Sequence, residues 1–433
     1  MRKVIFGLLV FAVAVVQACG DDASTTPDHV IQTSKLERVV NPAVAPADVA
    51  KQVAASNDVA FELLRRAGVA GENTFIAPHS ISSALAMLSG AASGQTLGEI
   101  ETALGFTLPQ SQLHAVFNHL DQQLASRGKG KEGADGGAFR LTIDNALWLQ
   151  DGHRCEASYL DTLALNYGAG VHMLDFAGDT EKARKSINSW VGQKTEDRIP
   201  ELLKQKDLTE NTLFVLTNAV YFNAAWAEPF EPEDTRSATF HAPSGDKQVA
   251  TMFARKERAL YGKGEGYEAI SLPYDGGELS MVVIKPADLA AFEKGLDAAK
   301  LDTILSKLRS VPVALSLPSF SFRKRTELRE HLMALGMVRA FDPNDVGVAE
   351  LFGLCEGCNY RLKVSKVIHE AFIKVDEKGA EAAGSTAVIG RDAGVSALPQ
   401  AETMDVDSPF LFLIRDHATE TVLFVGRVLD PEA

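Results

Sequence analysis

The sequence predicts a mixed α+β fold, and its composition and two kinds of hydrophobic pattern support this prediction. Of its 433 residues, 46% are hydrophobic and 23% are charged, which is typical of a folded globular protein. Some segments alternate apolar and polar residues, as strands with one buried face do, whereas others repeat apolar residues at helical spacing. Length alone allows either one large domain or two ordinary ones.

Segments with helical spacing of apolar residues are distributed along the chain. Residues 183–198 are one example, with Ile187, Trp190 and Val191 on the apolar side of the predicted helix. Ser80 lies where its side chain can cap the helix that follows a proline turn. The other helices predicted on this basis cover 47–68, 158–167 and 327–335.

Strand patterns occur between and after these helices. Residues 213–226 are apolar and β-branched enough for a buried strand. The sequence Asp-Gly-Gly at 275–277 is typical of a hairpin turn between two strands. The strands predicted in this way cover 141–149, 213–226, 267–272, 279–284, 311–322, 362–375 and, around a polar turn, 409–431.

Charge and cysteine content restrict the classes of partner and cofactor. The formal net charge of −14 argues against nucleic acid as a partner. Four cysteines are too few for a disulfide framework, and Cys155 is predicted to be a buried single thiol. Zinc needs about four ligands, and no second ligand pair accompanies Cys355 and Cys358. We therefore expect no metal and no cofactor. In an oxidising envelope Cys355 and Cys358 could form a disulfide, or they could remain two thiols.

The N-terminus has the features of a secretory signal. Arg2 and Lys3 supply positive charge, and 4–16 is an apolar run too short for an ordinary membrane-spanning helix. The run ends in Val-Gln-Ala-Cys-Gly at 16–20, which resembles a bacterial lipobox. In such signals cleavage falls before the cysteine, here Cys19, and its thiol is diacylated. An ordinary signal cut nearby is the alternative.

The lipobox interpretation divides the N-terminal region into two parts. Residues 1–18 would be a lipoprotein signal peptide, and 19–46, which are polar and without clear periodicity, would be a flexible tether. Acyl chains on Cys19 would hold the protein stably on a membrane. The predicted location is therefore the bacterial cell envelope, at the periplasmic face or the cell surface, or the extracellular space.

The stretch 375–388 begins like a strand and continues in small residues. With a period of two, one of its faces has almost no bulk and no charge, and the other carries Glu381. Such a segment could slide between two existing strands with its small side chains inward. A flexible Gly/Ala linker is the alternative. The small face consists of Ala380, Ala382, Gly384, Thr386 and Val388.

This stretch resembles the hinge of the reactive-centre loop of serpins, a family of serine protease inhibitors. Ala380 stands where Thr or Ser is usual. Two further motifs resemble those of the same family, in family order, with Ala77 in place of a customary Ser. The matching residues are Glu377, Gly379, Glu381, Ala382 and Ala383 in the hinge, Asn73, Pro78, Ser80 and Ile81 in the second motif, and Asn218, Trp226, Pro229 and Phe230 in the third.

The resemblance covers about 49–431 and implies the architecture. It implies a single domain over 47–433 with three β-sheets, about eight or nine helices and an exposed reactive-centre loop at about 377–407. It also implies a monomer. In the family, a buried polar cluster governs opening of the central sheet, and the residues that match it are Ser80, Asn218 and His369. Trp226 would pack where the loop first inserts.

The resemblance also implies a function, which is suicide-substrate inhibition of serine endopeptidases, with cysteine endopeptidases as a further class. The protease would cleave the loop, and the freed strand would insert into the central sheet while the acyl-enzyme persists. The protein would not be an enzyme. The hinge that permits insertion would comprise Glu377, Gly379, Ala380, Glu381, Ala382, Ala383 and Gly384.

The position of the cleaved bond stays open at the level of sequence. Spacing from the hinge places it at Ala393-Gly394, whereas counting back from 409–410 gives Leu398. Arg391 and Val395 are further alternatives. Ala393 or Val395 would suit an elastase-like protease, and Arg391 would suit a trypsin-like one.

Two rival functions are compatible with parts of the sequence. A non-inhibitory serpin, acting as a binding or chaperone-like module, is one, although the hinges of such members often carry bulky or charged residues that this hinge lacks. An enzyme is the other, because Ser365 and His369 are four residues apart. No nucleophile elbow, metal set or phosphate loop accompanies them.

Overall fold

The computed structural model of the chain describes residues 29–69, 71–128, 139–341, 363–380 and 401–432. Within these ranges the chain forms nine α-helices and two β-sheets, which confirms the predicted α+β fold. The helices are α1 (Pro46–Ala67), α2 (Pro78–Ser89), α3 (Gly94–Leu104), α4 (Gln110–Ala125), α5 (Ala157–Tyr167), α6 (Thr180–Lys194), α7 (Leu289–Lys294), α8 (Ala298–Ser306) and α9 (Arg329–Ala334).

The first sheet, sheet A, has seven strands among the described residues and contains the segments that matter for function. Its central strand is buried along all twelve of its residues. In order across the sheet the strands are β1 (Ile31–Gln32), β4 (Val171–Leu174), β3 (Arg140–Gln150), β5 (Phe214–Ala225), β13 (Gly379–Ala380), β12 (Lys366–Val375) and β11 (Phe320–Glu327).

Strand β5 is apolar throughout because both of its faces are covered. Leu216 belongs to a hydrophobic cluster that includes Leu85 of α2, on one face of sheet A. Val215, the preceding residue, belongs to another cluster with Ile187 of α6 on the opposite face. Successive side chains of a strand point to opposite faces, so a strand with two covered faces loses the usual apolar–polar alternation.

The second sheet, sheet B, has nine strands among the described residues. Strand β7 is 20 residues long and pairs in turn with β6, β10 and β8, so the expected third sheet is continuous with the second through β7. The strands are β14 (Glu402–Asp405), β10 (Arg309–Pro318), β7 (Gly245–Gly264), β8 (Tyr267–Pro273), β9 (Leu279–Pro286), β15 (Phe410–Asp416), β16 (Val422–Val428), β2 (Thr74–Ile76) and, paired with β7, β6 (Thr235–Ala242).

The single strand predicted for 311–322 is instead two strands in different sheets. Strand β10 ends at Pro318, and β11 begins at Phe320. Pro318 is the last residue of β10 that pairs with β7, and the N–H of Ser319 donates a final 3.0 Å bond to the carbonyl of Ala250 before the chain crosses to sheet A. The alternating pattern spans both strands because each buries one of its faces.

Residues 29–45 are packed on the domain, so the flexible tether predicted for 19–46 does not extend over them. Strand β1 pairs antiparallel with β4 at the edge of sheet A. The guanidinium of Arg38 lies 2.6 Å from Asp121 of α4 and donates a 2.8 Å hydrogen bond to Asn118. These contacts are polar and individually small, which is why the segment shows no hydrophobic periodicity. Within the described ranges, none of the helices combines the length and the apolar character that crossing a bilayer requires.

Candidate functional site: the cleft between β5 and β12

The central feature of sheet A is the boundary between β5 and β12. Over six residues these strands are parallel neighbours, from Lys366 opposite Val215 to Ala371 opposite Val220. Beyond that point they diverge, and β13 lies between them, antiparallel to both. At the upper end of the boundary the two strands therefore form a cleft, and this cleft holds Gly379 and Ala380 of the candidate loop.

Strand β13 fits this cleft because its side chains are small. Gly379 is opposite Ala225 and Ala380 is opposite Ala224, and Ala380 is only 1% exposed. A Cβ atom on Gly379 would lie 2.1 Å from the main-chain oxygen of Ala224, which a side-chain rotation cannot relieve. Glycine at this position thus allows the chain to approach β5 closely.

The residues that precede β13 are held by the segment that follows β5, residues 226–231, which we call the bridging segment. The indole N–H of Trp226 donates to the carbonyl of Asp376 at 2.9 Å, and its main-chain N–H donates to the carbonyl of Lys378 at 2.8 Å. The N–H of Phe230 donates to the carbonyl of Glu377 at 2.7 Å. These bonds join the end of β5 to the end of β12 across the top of the cleft.

Other side chains support the same region. The ring of Trp226 stacks on Tyr274, with 4.7 Å between centroids and an interplanar angle of 7°. The hydroxyl of Thr235 donates to the carboxylate of Glu377 at 2.7 Å. The structure therefore brings Trp226 and Glu377, which the sequence singled out, to one place.

Below the cleft, the structure brings Ser80, Asn218 and His369 into one buried polar cluster. Each is at most 1% exposed. Asn218 of β5 and His369 of β12 are register partners, and Asn218 Oδ1 lies 2.5 Å from His369 Nδ1. The amide nitrogen of Asn218 donates to the hydroxyl of Ser80 on α2. The cluster thus joins the two strands to each other and to the helix behind them.

The hydrogen bonds determine the protonation of His369. Its Nε2 accepts a 3.1 Å bond from the main-chain N–H of Ala77, so the proton of the neutral ring is on Nδ1, which donates to Asn218. Burial lowers the pKa of His369 to about 3, so the ring is neutral at physiological pH. His369 here is a structural hydrogen-bonding group.

Sequence reasoning missed one member of the cluster. Asn145 of β3 is the register partner of Asn218 on its other side, and its Oδ1 accepts a 2.5 Å bond from the Asn218 amide. Ala77, which lacks the usual hydroxyl, takes part through its main-chain N–H instead. No local pattern marks Asn145, because its role depends on the pairing of β3 with β5.

Glu370 is the next residue on β12, and its side chain lies on the opposite face from that of His369. It is 3% exposed, and its Oε1 lies 3.6 Å from Nε of Arg323. Its Oε2 has no hydrogen-bond partner among the described residues. Burial raises the pKa of Glu370 to about 7.

Comparison with known families identifies the architecture. The model of the family described as "Serpin (serine protease inhibitor)" matches residues 54–431. The chain belongs to the serpin family. Members of this family are typically protease inhibitors rather than enzymes.

Individual serpins match most of the chain. An uncharacterized serpin-like protein of Thermococcus kodakarensis is 35% identical over 88% of this chain and 86% of its own length. The leukocyte elastase inhibitor A of Mus musculus is 32% identical over 86% of this chain and 96% of its own. Among solved structures, the native state of the thermophilic serpin tengpin has a TM-score of 0.80 and 27% identity, covering 91% of this chain and 97% of that one.

Several predicted residues of this serpin lie outside the described residues. The hinge is described only as far as Ala380, and the cysteine predicted to be lipidated, the candidate cleaved bonds and one cysteine pair are not covered. The predicted residues concerned are Cys19, Cys355, Cys358, Glu381, Ala382, Ala383, Gly384, Arg391, Ala393, Gly394, Val395 and Leu398.

The residues behind the enzyme alternative do not form a catalytic pair. The hydroxyl of Ser365 accepts a 3.1 Å bond from the N–H of Leu213, and His369 points into the cluster with Asn218. Cys155 is buried, and burial raises the pKa of its thiol to about 12, which makes it a poor nucleophile.

Glu370 provides a pH-dependent prediction for the stability of sheet A. Because burial raises its folded pKa from 4.5 to about 7, it lowers stability progressively as pH rises through this interval. We expect Glu370→Gln to leave the free energy of unfolding unchanged at pH 4.5 and to raise it by on the order of 3 kcal/mol at pH 8. Urea unfolding at both pH values measures this.

A matched control is Glu327→Gln on the neighbouring strand β11, whose carboxylate is ion-paired with Lys366 at 2.8 Å. We expect the free energy of unfolding of this variant not to rise at pH 8. An equal effect of Glu370→Gln at the two pH values would contradict the account of a carboxylate whose pKa is raised by burial.

Proposed function

We propose that this serpin is a suicide-substrate inhibitor of serine endopeptidases, and of cysteine endopeptidases as a second class. The observation that carries the proposal is β13, two loop residues hydrogen-bonded between β5 and β12 and antiparallel to both. Adding a strand to a sheet satisfies main-chain groups of both partners. Strand β13 has the position and direction of the first residues of such an added strand.

The chemistry begins with the protease and ends with a movement of the inhibitor. The protease nucleophile attacks the carbonyl carbon of the reactive bond, the C–N bond breaks, and the amine on the C-terminal side leaves. An ester, or a thioester with a cysteine enzyme, then joins the protease to the N-terminal part of the loop. Insertion of that part into sheet A carries the protease with it and deforms its active site before water can hydrolyse the acyl group.

The register of β13 defines where an inserted strand would run. If the pairing continued along β5 from Gly379 opposite Ala225, Thr386 would lie opposite Asn218. If the pairing continued along β12 from Ala380 opposite Val375, the same Thr386 would lie opposite His369. The two pairings thus place Thr386 at the same level of the sheet, between Asn218 and His369. This agreement supports insertion between β5 and β12.

Insertion would exchange one set of interactions for a larger one. The parallel pairing of β5 with β12, including the bond between Asn218 and His369, would be replaced by two antiparallel ladders. About a dozen inserted residues would gain hydrogen bonds worth about 1 kcal/mol each. The intact protein would then be a kinetically trapped state with a less complete sheet. In this proposal the cluster of Ser80, Asn218 and His369 controls the opening.

A substitution at Ala380 tests the proposal. Its side chain is buried against β5, so an arginine there would place an unpaired charge in the cleft. We expect Ala380→Arg to be cleaved by elastase at an ordinary rate while forming about tenfold less covalent complex. Denaturing gel electrophoresis after mixing with protease measures both products.

The matched control is Ala380→Ser, which stays small and matches the residue usual in this family. It should form complexes at the wild-type yield. A wild-type yield from Ala380→Arg would rule out insertion through this part of the cleft. A wild-type chain that is cleaved but never trapped would favour a non-inhibitory serpin.

The reactive bond is proposed to be Ala393-Gly394, with a small residue suited to an elastase-like protease. Arg391 would direct cleavage by a trypsin-like protease, and Leu398 is followed by proline, which serine proteases seldom accept. We expect the peptide released from the elastase complex to begin at Gly394. N-terminal sequencing of that peptide measures this, and a peptide that begins at Asp392 would place the bond at Arg391 instead.

The location of the protein is a separate proposal. We propose a signal peptide over 1–18 and a lipid anchor on Cys19, which hold the domain at a membrane of the bacterial cell envelope. The described chain begins at His29, about ten residues after Cys19, so an anchored domain would stay within about 35 Å of the bilayer. Cys355 and Cys358 could form a disulfide there.

A further inference from the structure

Lys256 of β7 is a buried lysine at an irregular point of its strand. Its residue is 5% exposed. The pairing of β7 with β10 shifts nearby, because Val313 is opposite Lys256 whereas Val311 is opposite Ala259. One extra residue on β7 forms a β-bulge, and bulges redirect side chains. As a result Lys256 is buried while the two residues after it are exposed.

The ammonium group of Lys256 binds the back of the bridging segment. Its Nζ donates to the carbonyl of Pro229 at 3.1 Å and also to the carbonyl of Glu228. It lies 4.4 Å from the ring centroid of Phe230, at a distance typical of a cation–π contact. Burial lowers the pKa of Lys256 to about 8, so the group is mostly charged at neutral pH.

The bridging segment needs such support. Three of its residues, Ala227, Glu228 and Pro229, are exposed. The main-chain N–H groups of Trp226 and Phe230 nevertheless hold the carbonyls of the residues that lead into β13. Hydrogen bonds that involve a charged group are stronger than neutral ones. Lys256 therefore fixes, from the interior, the segment that joins β5 to β12 above the cleft.

We propose that Lys256 is a positioning residue that keeps the cleft closed at its upper end until the loop is cleaved. The inference rests on the proposed inhibitory function and deepens it. Without the ammonium group the bridging segment would loosen, the bonds from Trp226 and Phe230 to residues 376–378 would break more often, and the intact loop would insert without a protease. The protein would then lose inhibitory capacity spontaneously.

The test compares substitutions of two lysines on the same strand. Lys256→Met keeps the length and apolar stem but removes the donor. Lys256→Arg keeps charge and donors, and a cavity of about 40 Å³ lined by Lys256 and Arg258 offers space for the larger group. Lys263→Met is the control, because Lys263 is exposed and its ammonium lies 3.3 Å from Glu402.

Two measurements apply to each variant. The first is the rate at which elastase-inhibiting capacity is lost on incubation without protease. We expect a roughly tenfold faster loss for Lys256→Met, with Lys256→Arg and Lys263→Met close to the wild type. The second is hydrogen exchange of the main-chain N–H groups of Trp226 and Phe230, which we expect to accelerate in Lys256→Met alone.

The outcomes separate the two proposals. If Lys256→Met shows the wild-type rates of hydrogen exchange and of loss of inhibitory capacity, the proposed role of Lys256 is overturned while the inhibitory function stands. The same effect in Lys256→Arg as in Lys256→Met would overturn it as well, because donors would then be irrelevant. If the wild type traps no protease, the inhibitory function fails, and the exchange measurement alone still decides whether Lys256 holds the bridging segment.

Discussion

The contact between β5 and β12 is the interaction on which the rest of the structure depends. These strands are parallel neighbours in the lower part of sheet A and separate above it to admit Gly379 and Ala380. Parallel pairing is slightly less stable per residue than antiparallel pairing. A strand inserted here would be antiparallel to both neighbours, so in the proposed mechanism insertion leads to a more stable arrangement of the sheet.

Two kinds of polar interaction hold this contact in place, and they differ in charge. At the level of Asn218, the interaction is a buried network of neutral groups, completed by the main-chain N–H of Ala77. At the top of the cleft, a buried cation, Lys256, acts on main-chain carbonyls. A buried polar group that loses its hydrogen-bond partner costs free energy, so both sets of hydrogen bonds resist small displacements. Each set can still be replaced by another in which every buried polar group has a partner.

The parts of the fold that the sequence predicted are those with local patterns. Strand β5, for example, follows from its apolar run. Ser80, Asn218 and His369 came from motif resemblance, since Asn218 lies 138 residues from Ser80 and 151 from His369. No periodicity encodes contacts at such separations. Asn145 was missed for the same reason.

Two other features were beyond sequence reasoning for different physical reasons. Lys256 is buried because a bulge breaks the alternation of β7, and a lysine in a polar-looking strand is ordinarily exposed. Residues 29–45 carry polar contacts such as that between Arg38 and Asp121, which leave no hydrophobic signature. In both cases the contacts join residues distant in sequence, which local composition does not determine.

The central claim is that sheet A of the intact protein lacks a strand that its own loop can supply. The most direct measurement is thermal unfolding of the protein before and after a protease nicks the loop. The account predicts that the nicked protein unfolds on the order of 10 °C or more above the intact one, because the inserted strand adds hydrogen bonds and burial. Nicked Ala380→Arg should show no such rise. A nicked wild-type protein that unfolds at or below the temperature of the intact one would contradict the account.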